Sequence, residues 1–79
     1  MTAEEARQAI TEVLAEVAPD ADTAGLAPGA DLRDTLALDS LDFLNFVEAL
    51  GERSGRRIDE DDYPQLATLE RGVAFLAGR

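Results

Sequence analysis

The stretch Leu36–Leu50, LALDSLDFLNFVEAL, decides the fold. At about 100° per residue, Phe43, Phe46, Val47 and Leu50 gather on one side of a helix. Leu41, Asn45, Glu48 and Glu52 fall on the opposite side, with Leu44 at the border. The spacing predicts a helix that begins at Asp39 or Ser40 and runs to Arg53 or Ser54. Gly55 follows as a left-handed stop.

Ser40 stands where that helix starts, and serine is among the best N-cap residues. Asp39 is an equally good cap, however, and Asp42 sits three residues on, as a capping-box partner does. If Asp39 caps, Ser40 takes the first helical position and its hydroxyl is free. A hydroxyl there lies beside unpaired backbone N–H groups and the positive end of the helix dipole, which favours a phosphate ester. A catalytic role is not expected, because an activated serine needs a neighbouring base, normally His or Lys, and the chain has neither. The hydroxyl reads better as a substrate for another protein. Beside it, Leu41 lies off the core stripe and among Asp39, Asp42 and Glu48, which fits an apolar anchor in an acidic docking surface.

Working outward, Thr2-Ala3-Glu4-Glu5 fits a capping box, and Ala6, Ile10, Val13, Leu14 and Val17 continue at helical spacing. Pro19 disfavours a helical residue before it, so the first helix spans roughly residues 3–18. Residues 19–38 hold turn formers without a sustained period, and a loop this long is often functional. Leu26, Leu32, Leu36 and Leu38 are expected to pin it to the core, with a short helical turn at Asp31–Thr35. After Ile58 the run DEDDYP predicts another short helical turn with acids at its N-terminal end, where the dipole favours them. Thr68 then caps a last helix carrying Leu69, Val73, Phe75 and Leu76 and ending at Gly78. Gly72 within it implies close packing against another helix, since glycine there costs about 1 kcal/mol relative to alanine. No segment reads as a strand. The expected fold is all-α, a small four-helix bundle of three main helices and one short one, with a long loop between the first and second.

The whole chain narrows the function. Its 79 residues make one domain, residues 1–79, and 46% apolar residues suffice for a small core. Seventeen acids against seven bases, all arginine, give a net charge of −10, which repels nucleic acid and suits docking onto basic patches of other proteins. The absence of Cys removes thiol chemistry and disulfides. The opening MTAEEARQAI lacks a signal-peptide pattern, and no apolar run reaches the ~20 residues of a membrane helix. A cytoplasmic monomer is the expectation. The acids Asp59–Asp62 do not match a calcium loop, because Pro64 occupies its glycine position. They read as dipole caps, with at most weak divalent-cation association, so no metal site is expected. Paired hydrolytic carboxylates are equally unexpected in a chain with so little room for a cleft.

With Leu36-Ala37-Leu38-Asp39-Ser40-Leu41-Asp42 in place, the sequence resembles the acyl carrier proteins. The likeness extends through the second helix, the Gly55 stop, Ile58 with DEDD, and the Leu66–Leu69 approach to the last helix; it is looser over the first helix and loop. The resemblance implies a stand-alone carrier, not an enzyme. Ser40 receives 4′-phosphopantetheine from coenzyme A through a phosphopantetheinyl transferase, and acyl cargo is then held as a thioester. It further implies that acyl-loading and acyl-processing enzymes dock on Asp39, Leu41, Asp42, Glu48 and Glu52, and that fatty cargo slips between helices lined by Phe43, Phe46, Val47 and Ile58.

The sequence also departs from that family's pattern. Ala37 replaces the usual glycine three positions before the serine. Asn45 and Gly51 stand where carboxylates are usual, Glu48 replaces an apolar docking residue, and Ser54 and Arg56 replace apolar residues. These changes imply a specialised carrier, not the housekeeping carrier of fatty-acid synthesis. Two alternatives remain open on the sequence. One is an aminoacyl or peptidyl carrier with the same attachment chemistry. The other is an unmodified helical interaction module in which Ser40 is only a cap.

Overall fold

Each α-helix among the described residues begins at a side chain that satisfies a backbone N–H group lacking a partner in the first turn. The computed structural model describes residues 1–23 and 25–78. Thr2 caps α1 (Ala3–Val17), where Thr2 and Glu5 form a reciprocal capping box. The Thr2 backbone N–H, donating to the Glu5 carboxylate at 2.9 Å, holds that group below the usual glutamate pKa. The helix ends one residue earlier than its periodicity suggests, with Ala18 as C-cap ahead of Pro19.

The long connection is not structureless. Asp31 caps a single turn, α2 (Leu32–Thr35), accepting from the Asp34 N–H at 3.0 Å. Leu26, Leu32 and Leu38 are buried as expected, and Leu36 is half-buried against the same cluster. Backbone hydrogen bonds add to these anchors. Leu32 N–H donates to Ala67 O at 2.8 Å and Glu70 N–H to Pro28 O at 2.9 Å, tying the loop to the start of the last helix.

The central helix α3 (Ser40–Ser54) ends at Gly55, whose φ of 69° is the left-handed conformation that glycine adopts without steric cost. The acidic run forms a 3-10 helix, Glu60–Leu66, longer than the short turn expected from sequence. Thr68 caps α4 (Leu69–Ala77). Among the described residues there is no strand, only an isolated bridge between Asp31 and Thr68. The all-α expectation of three main helices, a short one and a long first loop therefore holds, with α2 embedded in the loop.

The core sits where the helical stripes meet. α1 packs against both α3 and α4, and Ile10, Val13, Leu14, Phe46, Leu50, Leu66 and Leu69 are almost completely excluded from water. Gly72 lies in the α1–α4 contact: a Cβ built there stands 3.0 Å from Ile10 Cδ1. On the rim, Arg53 reaches from α3 to Glu12 and Glu16 of α1. Arg56, just beyond the end of α3, stacks its guanidinium 4.2 Å from the Phe75 ring centroid and donates to Phe75 O at 2.9 Å. It thereby does the covering work of an apolar side chain.

Among the described residues, one carries backbone strain. Ala37 has φ 55°, in the left-handed region that costs an L residue about 1–2 kcal/mol. This is the position at which glycine is usual in the resembled family. Ala37→Gly relieves that cost but gains about 0.5–1 kcal/mol of unfolded-chain entropy. The net expectation is a stabilisation of about 0.5–1 kcal/mol, or a Tm higher by roughly 3–6 °C. A calorimetric scan showing an unchanged or lower Tm would contradict it.

Candidate functional site

The turn from α2 into α3 builds the site. Leu36 and Leu38 face inward, so Asp39 and Ser40 emerge at the surface as the helix begins. Asp39 accepts from the Asp42 N–H at 2.8 Å, and the Asp42 carboxylate reaches back to the Asp39 N–H at 3.4 Å. Capping is thus done by the two aspartates, and Ser40 occupies the first helical position with an exposed side chain.

The other serine of the chain makes a useful contrast. Ser54 is half-buried, donates to Gly51 O at 3.4 Å and accepts from the Arg56 N–H at 3.3 Å, so its hydroxyl is committed to closing α3. Ser40 Oγ has a different neighbour, Arg33 of α2, whose Nη2 stands 3.5 Å away. That guanidinium also lies 5.3 Å from the centroid of the Phe43 ring.

Ser40 and Arg33 line an open groove of about 550 Å³ between the α2 turn, α3 and the 3-10 helix. Phe43, Leu44, Tyr63 and Pro64 line it, with Asp31 and Glu60 among its polar residues. Phe43 and Tyr63 meet edge to face, ring centroids 5.6 Å apart, which fixes the floor. An open, largely apolar groove beside an exposed hydroxyl can accept an elongated chain carrying both amide and methylene groups.

The residues singled out by sequence divide into two sets. Asp39, Leu41, Glu48 and Glu52 are exposed, and Leu41 retains 64% of its surface. Asp42 is half-buried because its carboxylate is turned toward the cap. Of the apolar set, Phe43 lines the groove, whereas Phe46 and Val47 lie in the packed core and half-buried Ile58 stands apart from the groove. Arg33, Tyr63 and Pro64 were not singled out from the sequence. The available signal was Arg33 itself, a lone base in ADLRDTLALDS, seven residues before the serine. No group of three or more acidic side chains among the described residues is arranged to hold a metal ion.

The family model of the phosphopantetheine attachment site matches residues 8–76. The chain therefore belongs to the phosphopantetheine-attachment family: it is a carrier protein on which 4′-phosphopantetheine is covalently held, and not a catalyst. Its fold is that of the acyl carrier proteins. A solved structure of acyl carrier protein from Enterococcus faecalis, noted for high thermal stability, superposes with a TM-score of 0.81 at 23% identity, covering 99% of this chain and 98% of that one. No curated protein sequence matches the chain. A carrier of this family works with a phosphopantetheinyl transferase and with acyl enzymes. No helix among the described residues is long and apolar enough to cross a membrane.

Proposed function

We propose that Ser40 is the attachment residue and that the chain is a specialised acyl carrier. The observation that carries this reading is the division of labour at the start of α3. Asp39 and Asp42 satisfy the cap, so the Ser40 hydroxyl is exposed on the lining of the groove, whereas Ser54 is engaged with backbone. The residues present fit the group. Ser40 Oγ would hold it through a phosphodiester, and Phe43, Tyr63 and Pro64 offer apolar surface alongside. When bound, the group supplies a thiol that carries acyl cargo as a thioester.

The chain's own contribution is presentation. The capping box holds the first turn of α3, which fixes the direction of the Ser40 Cα–Cβ bond. Leu41 offers an apolar anchor on the same turn, and Asp39, Glu48 and Glu52 give the surrounding surface a negative potential that steers partners with basic patches. Neutral Asn45 and acidic Glu48 on that face support a partner set different from that of a housekeeping carrier. A cytoplasmic location is consistent with this role.

Incubation with coenzyme A and a broad-specificity phosphopantetheinyl transferase, followed by intact mass measurement, tests the attachment. Wild type is expected to gain one arm and Ser40→Ala none. Absence of any gain with several transferases would favour an unmodified interaction module. Specialisation is tested next by offering the modified protein to a housekeeping ketosynthase and malonyl transferase. Use as efficient as that of their own carrier rules it out. Preferred loading by an amino-acid-activating ligase would instead indicate an aminoacyl carrier.

A further inference from the structure

Arg33 is set apart from the other cations by what surrounds it. Arg53 pairs with Glu12 and Glu16, Arg57 with Asp59, and Arg56 donates to the Phe75 carbonyl. Arg33, like Arg7, Arg56 and Arg71, forms no ion pair among the described residues, although the chain carries seventeen acids to seven bases; what distinguishes it is contact with both the Phe43 ring and the Ser40 hydroxyl. Of the two carboxylates that line the same groove, Asp31 caps α2, and Glu60 forms no ion pair with Arg33. The guanidinium rests instead over Phe43, with one nitrogen aimed at Ser40 Oγ.

We propose that Arg33 is a positioning residue for the phosphodiester that Ser40 would carry, gripping its anionic oxygens and turning the arm into the groove over Phe43 and Tyr63. The inference rests on the reading of Ser40 as the attachment residue. At 3.5 Å the contact with the neutral hydroxyl is at the outer limit of a hydrogen bond and holds little by itself. Esterification changes the acceptor. The non-bridging oxygens extend outward from Oγ and carry a negative charge, which a planar guanidinium can meet with two parallel N–H bonds. Stacking on Phe43 already restricts the arginine side chain, so less freedom is lost when the contact forms. Ser40 and Arg33 both line the groove, so a phosphodiester held between them would lie against it. An exposed charge pair biases a population by roughly two- to fivefold, so the arm is directed and still able to leave.

The test compares unmodified and modified wild type with modified Arg33→Gln and Arg33→Lys, each first confirmed by mass. The Nε–Hε resonance of Arg33 is expected to shift between unmodified and modified wild type. The phosphorus resonance is expected to differ between wild type and Arg33→Gln, and roughly 0.5 M salt should move wild type toward the variant by screening. Arg33→Lys should fall between, since it retains charge and loses the fork. With a spin label on the arm thiol, relaxation enhancement at the Tyr63 and Ala67 amides should fall roughly two- to fivefold in Arg33→Gln. An Arg33 resonance unmoved by modification overturns the proposal without requiring any variant to fold. So do superimposable phosphorus spectra and unchanged relaxation in Arg33→Gln. A wild type that gains no mass overturns the Ser40 reading as well, so the two failures are distinguishable.

Discussion

Phe46→Ala is expected to destabilise the protein by about 3–5 kcal/mol, the usual cost of deleting a fully enclosed aromatic side chain. Phe46 has no exposed surface and sits on the inner stripe of α3. The total stability of a 79-residue chain is roughly 4–12 kcal/mol, and a small core falls toward the lower end. The loss therefore approaches the whole. With a urea slope near 1 kcal/mol per molar, the unfolding midpoint should drop by about 3 M or disappear. Leu41→Ala, on the opposite face of the same helix, provides the control and should change stability by less than about 0.5 kcal/mol. A Phe46→Ala midpoint within about 1 M of wild type would show that the core collapses around the gap.

The second large effect concerns the α1–α4 seam. A Cβ at Gly72 would stand 3.0 Å from Ile10 Cδ1 and 3.6 Å from Leu66 Cδ2, and both neighbours are completely buried. Two opposing terms decide each substitution. Alanine gains about 1 kcal/mol of helix propensity and asks only a few tenths of an ångström from Ile10, so Gly72→Ala should lie within about 1 kcal/mol of wild type. Valine adds two methyl groups with little rotamer freedom, and Gly72→Val should destabilise by about 1–3 kcal/mol. Denaturant titration of the pair checks both. Equal stability of Gly72→Val and wild type would mean that the helices separate freely.

What could be read in advance followed from local rules. Asp39, Asp42 and Gly55 mark the ends of α3 because caps act within one turn, and Phe43, Phe46, Val47 and Leu50 mark its buried face because the helical period is fixed. Gly72 could be inferred as a packing residue from its cost in a helix. The 3-10 helix was underestimated in length because it has no 3.6-residue period and includes Pro64, which ordinarily signals a break. Ala37 could be noted as a departure from glycine, but its positive φ belongs to a turn held by burial of Leu36 and Leu38 on either side. Arg33 escaped notice for a similar reason. Its closeness to Ser40 depends on how α2 docks beside α3, and its pairing with Phe43 spans ten positions in sequence. The groove joins the loop, α3 and the 3-10 helix, so no single segment carries its pattern.

The central claim is that the chain is a carrier whose attachment point is Ser40. Fragmentation of the transferase-treated protein, locating the added mass along the backbone, tests it most directly, because the sequence offers only Ser40 and Ser54 as serine acceptors. The arm is expected wholly on Ser40, with loss in Ser40→Ala and full retention in Ser54→Ala. An arm found on Ser54, or mass still gained by Ser40→Ala, would contradict it.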